Sequence, residues 1–190
     1  MLYTSTRGQT DMVCSAHAIT RGLADDGGLF VPQKFATLTL DEIVAMSELP
    51  YAERAAKILS FFLTDYTEEE LLACTSAAYS EERFSGFAAP LKQVKDKIAV
   101  LELWHGPTSA FKDMALQLLP HLLMKAIEKT GEQNDIVILV ATSGDTGKAA
   151  LEGFADVKGT QIIIFYPDDG VSDIQKRQMI TQQGGNVNVI

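Results

Sequence analysis

The chain has little cysteine and little positive charge, and it lacks any long apolar run. Each shortage excludes a class of function. Only Cys14 and Cys74 are present, with no CxxC pair and no Cys/His cluster, so neither a disulfide framework nor a zinc site is indicated. Two idle thiols, buried or not, fit a reducing compartment. Lys and Arg number 16 against 25 Asp and Glu, for a formal net charge of -9. An acidic chain of this kind is a poor match to a nucleic-acid backbone, which needs clustered basic residues. An anionic ligand would have to be held by local features, because the overall field opposes it. The opening Met1-Leu2-Tyr3-Thr4-Ser5-Thr6-Arg7-Gly8 has no apolar core of a signal peptide, and no stretch is long enough to span a bilayer. A cytoplasmic protein without nucleic-acid or membrane partners is expected.

What is present is ordinary globular material. Apolar residues make up 46% of the 190 and charged residues 22%, enough for one domain or parts of two. The character of the chain changes near residue 98. Residues 1–97 read as mostly helical. Gly22, Gly27 and Gly28 punctuate a turn-rich start, and a short apolar run from Leu29 leads to Val31-Pro32. Thr39 with Glu42, and Thr67 with Glu70, have the spacing of capping boxes, so a helix is expected after each. Tyr51 to Leu63 has Ala55, Ile58, Leu59 and Phe62 on one helical face. Nothing in this region carries visible chemistry, and a helical packing unit explains it.

Residues 98–190 alternate between strand and helix patterns. Ile98–Leu103, Ile136–Ala141, Ile162–Tyr166 and Val187–Ile190 read as strands. Helices are expected from about Ser109 to Lys129, from Lys148 to Ala155, and from Asp173 to Gln183, the last with Ser172 and Gln175 as its capping box. Pro120 inside the first of these is expected to kink or split it. The last three strands begin about 25 residues apart, the rhythm of consecutive βαβ units in a parallel sheet. The fold class is therefore α/β: a mostly helical N-terminal region, then a three-layer parallel sheet incomplete at its C-terminus. Because Ile190 lies within an apparent strand, a further C-terminal part of the same protein is expected, as is an exposed strand edge near Val187–Ile190.

Two loops join a strand to a helix N-terminus, where open α/β sheets bind ligands. In Trp104-His105-Gly106-Pro107-Thr108-Ser109-Ala110-Phe111-Lys112-Asp113, either Thr108 or Ser109 could cap a helix with an apolar stripe at Phe111, Ala115, Leu118 and Leu122. Lys112 would fall in the first turn, off that stripe. The positive end of the helix dipole disfavours an ammonium there, so a partly desolvated lysine would have a lowered pKa and act as an amine nucleophile. On local sequence alone, a solvated surface lysine is the commoner explanation. His105 could be a base or a positioning group, though a satisfied structural histidine is commoner. His17 and His121 have no visible constellation.

The second loop is Thr142-Ser143-Gly144-Asp145-Thr146-Gly147-Lys148, with hydroxyls, glycines and free N–H groups suited to a carboxylate or phosphate. It is not a P-loop, which would need glycine in place of Thr142 and a hydroxyl in place of Ala149. An ordinary βα turn would look much the same. In a third loop, Pro167 to Ser172, a turn and an N-cap explain Asp168 and Asp169 better than a metal does.

Taken in order, these segments resemble threonine synthase, a family of pyridoxal 5′-phosphate (PLP) enzymes with the tryptophan synthase β-like fold. Tyr3 to Gly8, Gly22-Leu23-Ala24-Asp25-Asp26-Gly27-Gly28-Leu29-Phe30-Val31-Pro32, His105-Gly106-Pro107-Thr108 through Phe111-Lys112-Asp113, and Thr142 to Gly147 are each similar to a signature of that family. The resemblance implies conversion of O-phospho-L-homoserine and water to L-threonine and phosphate. It implies that Lys112 holds PLP covalently and then serves as base and acid. Phe111 and Asp145 would lie beside the cofactor, and Ser143, Gly144, Asp145, Thr146 and Gly147 would bind the substrate. Asp145 stands where many relatives of the fold have asparagine, which leaves the bond made by that side chain open. The family's glycine-rich phosphate loop and its residue facing the pyridine nitrogen fall later in the family's chain, so these 190 residues alone are expected to be inactive. A related PLP phospholyase and a non-catalytic binding module are the alternative readings. The roles of Arg7 and His105 are not given by the resemblance.

Overall fold

The computed structural model describes residues 1–190. In chain order the elements are β1 (Tyr3–Ser5), α1 (Ser15–Arg21), β2 (Phe30–Pro32), α2 (Leu40–Ser47), α3 (Tyr51–Ser60), α4 (Glu68–Ala78) and α5 (Glu81–Phe84). The hairpin strands β3 (Leu91–Lys95) and β4 (Ile98–Leu101) follow, then α6 (Asp113–Leu116), α7 (Leu119–Thr130), β5 (Ile136–Ala141), α8 (Asp145–Phe154), β6 (Thr160–Phe165), α9 (Asp173–Ile180) and β7 (Val187–Val189). No helix is long and apolar enough to cross a membrane. The chain divides into two compact units: residues 1–77 with 121–133, and residues 78–120 with 134–190.

In the first unit β1 pairs antiparallel with β2, Thr4 opposite Val31. All three expected capping boxes form. Two are in this unit, at Thr39/Glu42 and Thr67/Glu70; the third, at Ser172/Gln175, heads α9 in the second unit. Helix α1 has no side-chain cap of its own, because Cys14 occupies the cap position. Asp65 supplies the acceptor from a distant part of the sequence, taking the Ala16 N–H at 2.8 Å and the Ser15 hydroxyl. Tyr66 donates to the Leu122 carbonyl at 3.0 Å, and Lys129 meets Glu70 at 2.7 Å, so α7 is bonded to the stretch that leads into α4. Burial holds the Tyr66 phenol well above its usual range, helped by the nearby Asp65 carboxylate. Cys74 is buried and Cys14 exposed, and both are free thiols.

Asp26 gathers the turn-rich start of the chain. It accepts from the Ser5 hydroxyl at 2.6 Å and from the N–H groups of Gly28 at 2.9 Å and Gln9 at 3.0 Å. Arg7 donates to the Asp26 carbonyl at 2.9 Å. The conspicuous opening residues of the sequence are thus tied to one another by a single aspartate.

In the second unit Ile136-Val-Ile-Leu-Val-Ala141 has no glycine, proline or charge, and it forms β5 over those residues. The sheet order is β5-β6-β7, all parallel, with Ile138 beside Ile162 and Ile162 beside Val187. The βαβ rhythm read from the sequence is therefore the topology. Ile162 and Ile164 are wholly buried with Ala149, Leu151, Phe154 and Met179 of α8 and α9. The opposite face is open: Val137 is 53%, Leu139 65% and Phe165 43% exposed. Asn186 joins the sheet to the end of α8, donating to the carbonyls of Phe154 at 2.9 Å and Thr160 at 3.2 Å and accepting from the Asp156 N–H at 2.8 Å.

Two expectations are corrected. The strand at Ile98 ends at Leu101 and joins no parallel sheet; it pairs antiparallel with β3, and both strands are exposed along their length. The helix expected from Ser109 to Lys129 is two helices. Pro120 is the second residue of α7, so its missing N–H falls in the first turn, where no intrahelical bond is lost. Splitting the helix avoids a penalty of about 3 kcal/mol.

Two predictions follow from this packing. Ile162→Ala is expected to lower the unfolding free energy by roughly 2–5 kcal/mol, whereas Leu139→Ala in the adjacent strand is expected to cost less than about 1 kcal/mol, both read from urea titrations. The Ser5 hydroxyl and the Gly28 and Gln9 N–H groups, aided by Arg7, outweigh desolvation and hold the Asp26 carboxyl below its ordinary 3.8. Its contribution is therefore full above that value and is lost as pH falls through the lower folded value. In Asp26→Asn, stability between about pH 4 and pH 2 is expected to fall less steeply than in the parent.

Candidate functional site

The Trp104–Asp113 segment leaves the β3–β4 hairpin and makes a tight loop before α6. Lys112 ends that loop, with helical backbone angles of -62° and -22°, and α6 is a single turn. Thr108 and Ser109 do not cap it, contrary to the sequence expectation; Ser109 lies in the left-handed region at φ 58°. The bonding runs the other way. The Asp113 carboxylate accepts from the Thr108 N–H at 2.8 Å and from its hydroxyl at 2.7 Å. The expected apolar stripe is corrected too. Phe111 and Ala115 are exposed, and the first half of the segment buries Asp113 and Gln117 instead. The Lys112 ammonium sits 4.6 Å from the centre of the Phe111 ring. With a one-turn helix behind it, Lys112 feels much less aligned dipole than a twenty-residue helix would give.

His105 meets the Glu102 carboxylate at 2.7 Å and stacks on Trp104, ring centres 5.8 Å apart. It is a satisfied side chain on the approach to the lysine. Arg83 from α5 donates to the Gln117 side chain, and Tyr79 donates to the Met114 carbonyl at 2.8 Å, so α6 is gripped from the preceding helices.

The second loop follows β5. Helix α8 starts at Asp145, three residues before the expected Lys148, so Asp145, Thr146 and Gly147 form its first turn. Their N–H groups head the helix without intrahelical acceptors, apart from a Gly147 bond to the Gly144 carbonyl at 3.2 Å. Ser143 and Asp145 are exposed, Gly144 and Thr146 half-buried, and Gly147 buried. The Asp145 carboxylate accepts from Gln175 at 2.7 Å, the same glutamine that closes the α9 capping box. Lys148 pairs with Glu152 at 3.2 Å and with Gln182, and so faces away from a phosphate-loop role. In the third loop Asp168 meets Lys176 at 3.4 Å and Ser172 caps α9.

Two close approaches brace these segments. A Cβ at Gly147 would collide with Thr142 and lie 2.9 Å from the Met179 sulfur. A Cβ at Gly153 would overlap the Leu116 carbonyl oxygen, so α8 rests directly on the backbone of α6. The lysine loop and the Ser143–Gly147 loop thus belong to one unit and open two helices that touch. Gly153, Gly106 and Asp113 were missed as site-shaping residues. The signal for Asp113 was its place directly after the lysine; Gly153 gave none, since a glycine inside a helical pattern has no partner visible in sequence.

Known proteins resemble this chain along its whole length. Residues 2–79 match the family described as threonine synthase N terminus. The threonine synthase of Pseudomonas aeruginosa is 42% identical over all of this chain and 40% of its own length, and that of Schizosaccharomyces pombe is 37% identical over 99% and 38%. The crystal structure of a PLP-bound threonine synthase from Brucella melitensis superposes with a TM-score of 0.88 at 37% identity, again over 100% of this chain and 40% of that one. The chain is similar along its whole length to part of these threonine synthases, and residues 2–79 match the family's N-terminal region. It spans about two fifths of the length of the threonine synthases it matches.

The close approach at Gly153 yields a prediction at a distance. Gly153→Ala is expected to cost roughly 1–3 kcal/mol, as overpacking does, and to push α6 away. Because Trp104 is the single tryptophan and lies on the lysine loop, its emission is expected to shift in Gly153→Ala and to stay unchanged in Ala155→Gly.

Proposed function

We propose that this chain is the N-terminal portion of a threonine synthase that converts O-phospho-L-homoserine and water to L-threonine and phosphate with PLP, with Lys112 as the residue that carries the cofactor. The observation that supports this most directly is the setting of Lys112. A half-exposed amine ends a loop closed by a buried carboxylate, beside an exposed aromatic ring, in a family that includes a PLP-bound structure.

The donor set fits the group. Lys112 offers a primary amine and Phe111 an exposed flat face next to it. The first turn of α8 offers unpaired N–H groups, with the hydroxyls of Ser143 and Thr146 beside them, suited to a carboxylate. PLP, when bound, supplies an electron sink for carbanions next to the substrate nitrogen. The chain's own residues then have separate tasks. Lys112 would hold the cofactor and would accept and return protons at the substrate carbons. Ser143, Gly144, Asp145, Thr146 and Gly147 hold the substrate carboxylate. Asp145, whose Oδ1 accepts from Gln175, would offer its other oxygen to the cofactor. Both groups lie in the unit formed by residues 78–120 and 134–190. The free thiols agree with a cytoplasmic location.

Incubated with PLP, the protein is expected to develop an absorption band that Lys112→Ala abolishes. A band that survives this substitution would remove Lys112 from the role. Phosphate release from O-phospho-L-homoserine by the complete gene product, with threonine as co-product, separates this reaction from that of a related phospholyase.

A further inference from the structure

Asp113 is wholly buried, and its surroundings are unusual for a carboxylate. Both oxygens are taken by one residue, Thr108: Oδ2 by the backbone N–H at 2.8 Å and Oδ1 by the hydroxyl at 2.7 Å. No lysine, arginine or histidine pairs with it. Desolvating a carboxylate without a cation costs several kcal/mol before hydrogen bonds offset it. A side chain kept there for packing alone would do better as an apolar residue.

Its bonds close a ring of backbone from Thr108 to Asp113. The Ser109 N–H bonds the Gly106 carbonyl just before the ring at 3.1 Å, and within it the Asp113 N–H bonds the Ala110 carbonyl at 3.0 Å. Gly106 leaves the notch that the carboxylate fills: a Cβ there would lie 2.5–2.9 Å from Asp113 Cβ, Oδ2 and Cγ. Ser109 is held left-handed, a conformation that a free loop with serine at that position would rarely adopt. Lys112 is the last residue inside the ring. Its ammonium makes no hydrogen bond or ion pair and lies over the exposed Phe111 ring, so its aim depends on how the backbone presents it. The direction of its Cα–Cβ bond is set by the ring on one side and, on the other, by the Ala115 and Leu116 N–H groups that bond the Lys112 carbonyl at 3.1 and 2.9 Å.

We infer that Asp113, acting through Thr108, is the positioning residue that aims Lys112, making this one lysine preferentially available to an aldehyde-bearing cofactor. The inference rests on the reading of Lys112 as the PLP lysine. Thr108 is the receiving half of the clamp, and Gly106 is the space it needs. Asparagine can fill the same notch, accepting from the Thr108 N–H and donating to its hydroxyl, whereas alanine can do neither.

The test is competitive labelling. The chain is incubated with PLP, reduced with borohydride, digested, and the pyridoxyl label at Lys112 is expressed relative to that at Lys34 and Lys57. The ratio is internal to each sample and so does not depend on the folded fraction alone. The parent is expected to favour Lys112 at least tenfold. Asp113→Ala is expected to bring the ratio close to unity, Thr108→Val to lower it several-fold, and Asp113→Asn to restore most of it. Thr108→Val added to Asp113→Ala is expected to change nothing more, because the two act as one clamp. Should Asp113→Ala prove unfolded by circular dichroism, Thr108→Val and Asp113→Asn carry the comparison. A parent without preference for Lys112 overturns both this inference and the PLP reading. A preference that persists undiminished in Asp113→Ala or Thr108→Val overturns the clamp and leaves the PLP reading standing. An Asp113→Asn variant as unselective as Asp113→Ala overturns it as well.

Discussion

Two glycines on one helix hold the second unit together. Gly147, in the first turn of α8, lets that helix settle against Thr142 and Met179, next to the buried face of β6. Gly153, near its end, lets the same helix lie on the carbonyl of Leu116 in α6. One rigid rod therefore locates both loops that bear on chemistry. Its N-terminus is the second loop, and its other end supports the turn that follows Lys112. At Gly153 backbone lies against backbone, which leaves no flexible side chain there to absorb a displacement of the helix.

The lysine loop itself is organised in a way that ordinary helix rules do not anticipate. A threonine before a helix normally accepts a bond from the helix. Here Thr108 donates, and the acceptor is an aspartate inside the first turn. The result is a closed loop that ends at Lys112 instead of a long helix that begins before it. The break between α6 and α7, at Gln117 and Leu118, serves the same end, since a single straight helix from Ser109 to Lys129 would carry Lys112 on an open turn.

What could be read from sequence was whatever depended on short-range chemistry. Capping boxes at Thr39, Thr67 and Ser172 involve residues three apart and formed as spaced. The strand β5 and the parallel order β5-β6-β7 followed from apolar runs at a βαβ interval. What could not be read depended on distant partners. Strand β3, Leu91-Lys-Gln-Val-Lys95, has no apolar run, and only β4 opposite it makes it a strand. The cap of α1 comes from Asp65, some fifty residues on. The Phe111–Leu122 stripe had the right period but not the right structure, because the loop closure turns Phe111 out and Asp113 in. For the candidate site, the residue types and their order could be read in the sequence, and the bracing behind them could not.

The open face of the sheet has a thermodynamic meaning of its own. Val137, Leu139 and Phe165 are already wetted in the folded chain, as are Leu91, Val94 and Ile98 of the hairpin. Unfolding newly exposes only the part of each that the fold still covers. The heat-capacity increment and the denaturant slope of this chain both scale with newly exposed surface, and both fall short of what its length alone would give. A flatter stability curve, with a broader maximum than a fully buried sheet of this length would show, is the expected consequence.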